Sequence, residues 1–206
     1  MKSIVLATRN AGKLKEISGL FAGCDYRFIS LRDLPRIPEV PENGSSFEEN
    51  ALIKAREIFR VMQLPALADD SGLEVEALGN RPGIFSARYA GENVSYAANN
   101  KKLLEELKGL PPEKRHAHFR CVAAFVAPGV EYVTEGICPG MIIDSPRGTG
   151  GFGYDPLFVP DGYQNTFAEL SLDIKNSISH RSRAFRLMAD YLKKYLEKPE
   201  ELLNSQ

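Results

Sequence analysis

Cysteine, histidine and long apolar runs are all scarce in this chain, and each scarcity removes a class of function. The 206 residues hold three cysteines, Cys24, Cys121 and Cys138, far apart and without C-x-x-C spacing. An odd, scattered set argues against both a disulfide scaffold and structural zinc. Cys121 and Cys138 fall in apolar, strand-like runs, where a reduced thiol packs as a small hydrophobe. With three histidines and no G-x-S-x-G elbow, a serine triad has little support. The longest apolar stretch, residues 121–127, is far too short to cross a bilayer. The apolar run before Thr8 does not fit a secretory signal, so a reducing, cytoplasmic location with no membrane partner is expected. A formal net charge of −1 gives no field that would draw nucleic acid. Affinity for phosphate must therefore come from a local cluster. With 43% hydrophobic residues, no repeat and no evident linker, residues 1–206 read as one sizeable domain or two lobes sharing a sheet.

What is present begins with a short apolar strand, residues 3–7, followed by Thr8-Arg9-Asn10-Ala11-Gly12-Lys13 and a helix over about 12–21. A strand that ends in a polar turn before a helix points unpaired N–H groups and a positive dipole end at whatever sits above it. A phosphate chain is the natural occupant, although many α/β proteins open this way for packing alone. It is not a Walker A loop, because Ala7 and Leu14 stand where glycine and Ser/Thr are needed.

Further along, residues 26–31 read as a second strand and 34–44 as an extended segment rich in proline and acid, Pro35 and Glu42 included. Ser45 and Ser46 each precede a glutamate by three residues and start a helix whose apolar face is Phe47, Ala51, Ala55, Ile58, Phe59 and Met62. A brief buried strand, 66–68, runs into Asp69-Asp70-Ser71-Gly72, and 73–78 follows. A helix is expected over 95–108. Strands at 116–127 and 131–138 read as a hairpin that extends as an arm beyond the main core. A glycine-dense loop covers 147–153, and a last helix runs from 179 to about 196, with Ala184, Leu187, Met188, Tyr191, Leu192 and Tyr195 on one face. The tail from Lys198 is expected to fray. The alternation of strands and helices is that of an α/β protein.

Three clusters could carry chemistry. Consecutive carboxylates at Asp69 and Asp70 repel each other unless something compensates; a divalent cation such as Mg²⁺ is the usual compensator, and Glu42 is available to complete its oxygen set. Neighbouring strand residues face opposite ways, so one aspartate can meet a metal while the other orients a base or water. The structural alternative has one capping a turn and the other solvated. Lys13, Arg9, Lys54 and Arg88 are the cations available to phosphates, with a solvated helix face as the alternative for Lys54. In Gly151-Phe152-Gly153-Tyr154-Asp155-Pro156, glycines bring backbone close and Phe152 can stack on a flat ring while Asp155 accepts from ring N–H groups. The alternative is that Phe152 plugs a core. Lys175, His180 and Arg181 add donors near the start of the last helix.

Taken in order, Thr8 to Lys13, Ala68-Asp69-Asp70-Ser71-Gly72, Gly151 to Pro156 and Ser179-His180-Arg181 resemble the inosine triphosphate pyrophosphatase (Ham1-like) family over nearly the whole chain. Arg9 departs from the glycine or serine that the family often carries there. The resemblance implies an elongated two-lobed α/β fold around a long mixed central sheet, with the nucleotide between the lobes, and a homodimer. It implies hydrolysis of non-standard purine nucleoside triphosphates (ITP, dITP, XTP) to the monophosphate and pyrophosphate. It further implies that Thr8 to Lys13 hold the triphosphate and that Ser71 contacts the phosphates. Glu42 and Asp70 would bind Mg²⁺, with Asp70 also accepting the proton from water and Asp69 supporting it. Phe152, Gly153, Tyr154, Asp155, Lys175, His180 and Arg181 would hold and read the base. A Maf-type pyrophosphatase for modified pyrimidine nucleotides and a non-catalytic nucleotide sensor are the competing readings.

Overall fold

The computed structural model describes residues 2–21, 26–34 and 37–197. The expectations for Cys24, Pro35 and the tail from Lys198 lie outside them. In chain order the elements are β1 (Lys2–Leu6), α1 (Ala11–Leu20), β2 (Tyr26–Ser30), α2 (Phe47–Met62), β3 (Ala66–Val75), β4 (Arg81–Pro82), α3 (Tyr96–Glu106), β5 (His116–Ala127), β6 (Val130–Ile142), β7 (Phe158–Pro160), α4 (Leu172–Ile178) and α5 (His180–Glu197), with short 3₁₀ turns between some of them. The strands form a mixed sheet in the order β2-β1-β3-β5-β6-β7, and β4 pairs with β3. β1 runs parallel to β2, with Ile4 opposite Phe28, and β6 runs antiparallel to β7.

Local signals account for most boundaries. The Ser46 hydroxyl accepts the Glu49 N–H at 3.1 Å, and Glu49 Oε2 reaches back to the Ser45 N–H at 2.7 Å, so α2 starts in a capping arrangement shifted one residue from the usual box. Gln63 closes α2 in the left-handed region.

The sequence reading needs correction in four places. β3 does not stop at Ala68 but runs unbroken through the acid pair to Val75. β5 and β6 do not project as an arm, because buried side chains line β5 from Cys121 to Ala127 and β6 continues to Ile142. α4 and β7, both short and without a full period of pattern, were not anticipated. Leu187, placed on the apolar face of α5, is 53% exposed; the buried stripe is Ala184, Phe185, Met188 and Leu192.

The chain divides into two compact units. The first comprises Met1–Asp70, Cys121–Gly136 and Arg181–Gln206. Its core joins Ile4 and Leu6 of β1, Ile17 of α1, Cys121, Ala123 and Phe125 of β5, and the α5 stripe. The second comprises Ser71–Arg120 and Ile137–His180. Its core gathers Leu73, Leu103, Leu107, Leu157 and an aromatic group in which Phe119 lies 4.7 Å from Phe158, and Phe158 lies 5.1 Å from Phe167.

Candidate active site

In the first unit, the turn after β1 is held by its own side chains. Asn10 caps α1, its Oδ1 accepting the Lys13 N–H at 3.1 Å, and Thr8 Oγ1 accepts the Asn10 N–H at 3.2 Å. Ala11 and Gly12 head the helix, so their N–H groups lie among its unpaired donors. Arg9, expected to face phosphate, turns instead to backbone carbonyls: it donates to Leu31 at 2.9 Å and also to Ile37. It thereby ties the acidic segment to this loop.

β3 carries Asp69 and Asp70 to different partners. Asp69 Oδ2 meets Lys13 Nζ at 2.9 Å and Arg181 Nε at 3.4 Å, and the Cys121 thiol lies 3.9 Å away. Arg181 is fully buried and also donates to Glu16, itself buried on α1. This guanidinium, expected to read a base, orients Asp69 instead. Burial alone would push the Asp69 carboxyl up, but the Lys13 and Arg181 charges outweigh it and hold the group well below the usual carboxylate range. The same desolvation, with Asp69 beside it, pushes the Cys121 thiol up, which suits an inert core residue.

Asp70 has a separate environment. Asn50 Nδ2 donates to its Oδ2 at 3.0 Å, and Lys54 Nζ lies 3.6 Å from its Oδ1. That same ammonium donates to Glu42 Oε1 at 2.6 Å and to the Asp69 carbonyl at 2.7 Å. Burial raises the Asp70 carboxyl above its ordinary value despite Lys54. Burial would lower the Lys54 ammonium, but Asp70, Glu42 and Asp69 together raise it. Lys54 is therefore not on a solvated face. Asn50 was missed in the sequence, though a polar residue inside the Phe47-Ala51-Ala55-Ile58 stripe is a signal that could have found it. Its Oδ1 accepts the Gly44 N–H at 2.8 Å, an approach that leaves no room for a Cβ at Gly44.

A metal fits this oxygen pair. Among the described residues no three His, Cys, Asp or Glu side chains gather into a metal-type cluster. Glu42 and Asp70 nevertheless converge on one cationic atom, Lys54 Nζ, and both are hard oxygen donors of the kind Mg²⁺ takes alongside water and phosphate.

The second unit builds a different site. Asp155 Oδ2 accepts from the Phe152 N–H at 2.8 Å and from Lys175 Nζ at 2.5 Å, and Lys175 Nζ sits 5.0 Å from the Phe152 ring centroid. Gly151 adopts a φ of +69°, and a Cβ there would lie 2.0 Å from Asp155 Oδ2. The Gly153 carbonyl accepts from Asn100 Nδ2 at 3.1 Å, and Tyr154 donates to the Ser86 carbonyl at 2.9 Å. Phe152 is partly exposed rather than plugged into the core, while Tyr154 is buried. His180 stacks on Phe119 at 4.7 Å, with 13° between the rings. Ser71 follows the acid pair in β3, and Arg88 lies over the Phe85 ring at 5.3 Å with Glu92 beside it at 3.8 Å. Among the described residues no helix is long and apolar enough to cross a membrane.

Residues 4–191 match the model of the Ham1 family. A dITP/XTP pyrophosphatase of Geobacter sulfurreducens is 54% identical over 193 residues, 93% of this chain and 97% of that protein. One of Geobacillus kaustophilus is 51% identical over 185 residues, 89% of this chain and 91% of that protein. Among solved structures, a Ham1 protein from Coxiella burnetii superposes with a TM-score of 0.86 at 42% identity, covering 94% of this chain and all of that one. With fold and sequence agreeing over nearly the full length, this chain belongs to the Ham1 family.

Proposed function

We propose that this protein hydrolyses non-standard purine nucleoside triphosphates, the ITP, dITP and XTP type, to the monophosphate and pyrophosphate by attack of water on the α-phosphorus. The observation that carries the reading is the division between two adjacent carboxylates. Asp69 is locked as an anion between Lys13 and Arg181, whereas Asp70 is raised and so is a better proton acceptor than an ordinary aspartate. The curated relatives named dITP/XTP pyrophosphatase support the substrate class.

In this mechanism the N–H groups at the start of α1, with Thr8, Asn10 and Lys13, bind phosphate oxygens, and Ser71 adds a hydroxyl. Asp70 takes the proton of the attacking water. Asp69 keeps Lys13 placed, so that positive charge faces the departing pyrophosphate. Glu42 and Asp70 would hold Mg²⁺, which when bound offsets phosphate charge and polarises the α-phosphorus. Phe152 offers a ring face to the base, steadied by Lys175 and Asp155, and donors near His180 favour a 6-oxo over a 6-amino edge. We take residues 1–206 as one catalytic domain of a cytoplasmic homodimer.

Pyrophosphate release measured across ITP, XTP, dUTP, GTP and ATP tests the reading. ITP and XTP are expected to dominate, with IMP and pyrophosphate as the ITP products. Orthophosphate and IDP as primary products would overturn the α-phosphorus assignment, and preference for dUTP would favour pyrimidine chemistry.

A further inference from the structure

Lys54 does more than a phosphate clamp requires. It projects from the middle of α2 and is only 7% exposed. Its ammonium meets Glu42 Oε1 at 2.6 Å, the Asp69 carbonyl at 2.7 Å and Asp70 Oδ1 at 3.6 Å. Two carboxylates and a carbonyl oxygen around one positive centre are the donor set of a hard divalent ion. Asn50 binds the other Asp70 oxygen, which leaves Oδ1 turned to the cation position.

We infer that Lys54 is a built-in counter-ion: in the metal-free protein its ammonium holds the place of the divalent cation between Glu42 and Asp70 and competes with that cation for it. The inference rests on the reading that Glu42 and Asp70 are the metal's ligands. Without a cation between them, two partly buried carboxylates repel, and the ammonium removes that repulsion before metal and nucleotide arrive. A divalent ion on the same oxygens cannot coexist with an ammonium at this distance, because like charges in a partly desolvated site repel strongly. Lysine suits the exchange, since its compact charge sits on a flexible four-carbon stem. Once displaced, the ammonium has its donors available for the phosphate oxygens that accompany the metal. The apparent metal affinity of the empty enzyme is then lowered by the fraction of molecules in which Lys54 fills the position.

The test is Mn²⁺ binding to the nucleotide-free protein, followed by electron paramagnetic resonance, for the native chain and for Lys54→Met, Lys54→Gln and Asp70→Asn. Thermal unfolding is recorded with and without Mn²⁺. Lys54→Gln retains a donor for the Asp69 carbonyl, so it separates loss of charge from loss of that hydrogen bond and serves if Lys54→Met does not fold. Both lysine variants are expected to bind Mn²⁺ on the order of tenfold more tightly than the native chain. They are also expected to unfold at lower temperature without metal and to recover with it. Asp70→Asn is expected to weaken Mn²⁺ binding on the order of tenfold or more, the usual consequence of losing a ligand. If Asp70→Asn binds as the native chain does, the metal-ligand reading fails. If it weakens binding but neither lysine variant binds more tightly than the native chain, the counter-ion inference alone is overturned.

Discussion

Asp69 and Asp70 are adjacent in β3, yet their carboxylates turn to different partners: Asp69 Oδ2 takes Lys13 at 2.9 Å and Arg181 at 3.4 Å, while Asp70 Oδ2 takes Asn50 at 3.0 Å. The period of two in a strand turns neighbouring side chains apart. Two cations therefore gather on one carboxylate and desolvation dominates at the other, so the proton affinities move in opposite directions.

Asp70→Asn is expected to lower turnover by about 10²–10⁴, the usual contribution of a positioned general base. The folded-state value of Asp70 is raised, so its stabilising contribution is complete below its unfolded value and is lost as pH rises through the folded one. Near pH 7 the ionised carboxylate therefore opposes folding. The stability of the native chain relative to the asparagine variant should therefore fall as pH rises from 3 to 7, and a difference that rises over that range would contradict this account. In the native enzyme the acid limb of kcat/KM should lie above the ordinary aspartate value of about 3.9.

Asp69→Asn removes the anion between two buried or half-buried cations and is expected to destabilise the fold by roughly 3–5 kcal/mol. The folded value here is depressed, so the contribution is present above the unfolded value near 3.9 and is lost as pH falls below it. Urea unfolding should show the native chain losing this stability only once the pH falls below about 4, and increasingly towards the folded value, with a flatter profile in the variant.

Phe152→Ala should raise KM about tenfold, within the roughly 1–3 kcal/mol that base stacking on an aromatic contributes. The reacting groups are untouched, so kcat should change little. An unchanged KM would remove the ring from base binding.

Gly151 and Gly153 make a controlled pair. Both have positive φ, but a Cβ meets Asp155 at Gly151 and nothing within 4 Å at Gly153. Gly153→Ala should lower stability by about 1–2 kcal/mol from backbone strain alone. Gly151→Ala should lower it more and also raise KM, because Asp155 is pinned by the Phe152 N–H and Lys175 and cannot yield. Equal effects in denaturation and kinetics would refute the contact.

Arg9→Ala should leave KM close to the native value and reduce stability by roughly 1.5–3 kcal/mol, as expected for lost hydrogen bonds from a charged donor. A KM increase larger than the stability effect would return Arg9 to the phosphates.

Local chemistry in the sequence was sufficient for the opening strand-turn-helix, the Ser46 start of α2, the glycine-aromatic loop and most of the α5 stripe, where it wrongly includes Leu187 and omits the buried Phe185. Each of these is written in residues within a turn or two of one another, where periodicity and capping operate. The same reading stopped β3 at Ala68, because two aspartates, a serine and a glycine carry poor strand propensity and nothing local supplies their compensation. The compensation comes from afar: Arg181 reaches Asp69 across 112 residues, and Lys54 reaches its carbonyl across 15. Which aspartate is locked and which is raised, that Arg181 turns to Glu16 and Asp69, and that Arg9 turns to carbonyls were decided only by tertiary structure. A charged side chain announces its charge in the sequence, but its partner is fixed by desolvation and by which backbone segments the sheet brings together.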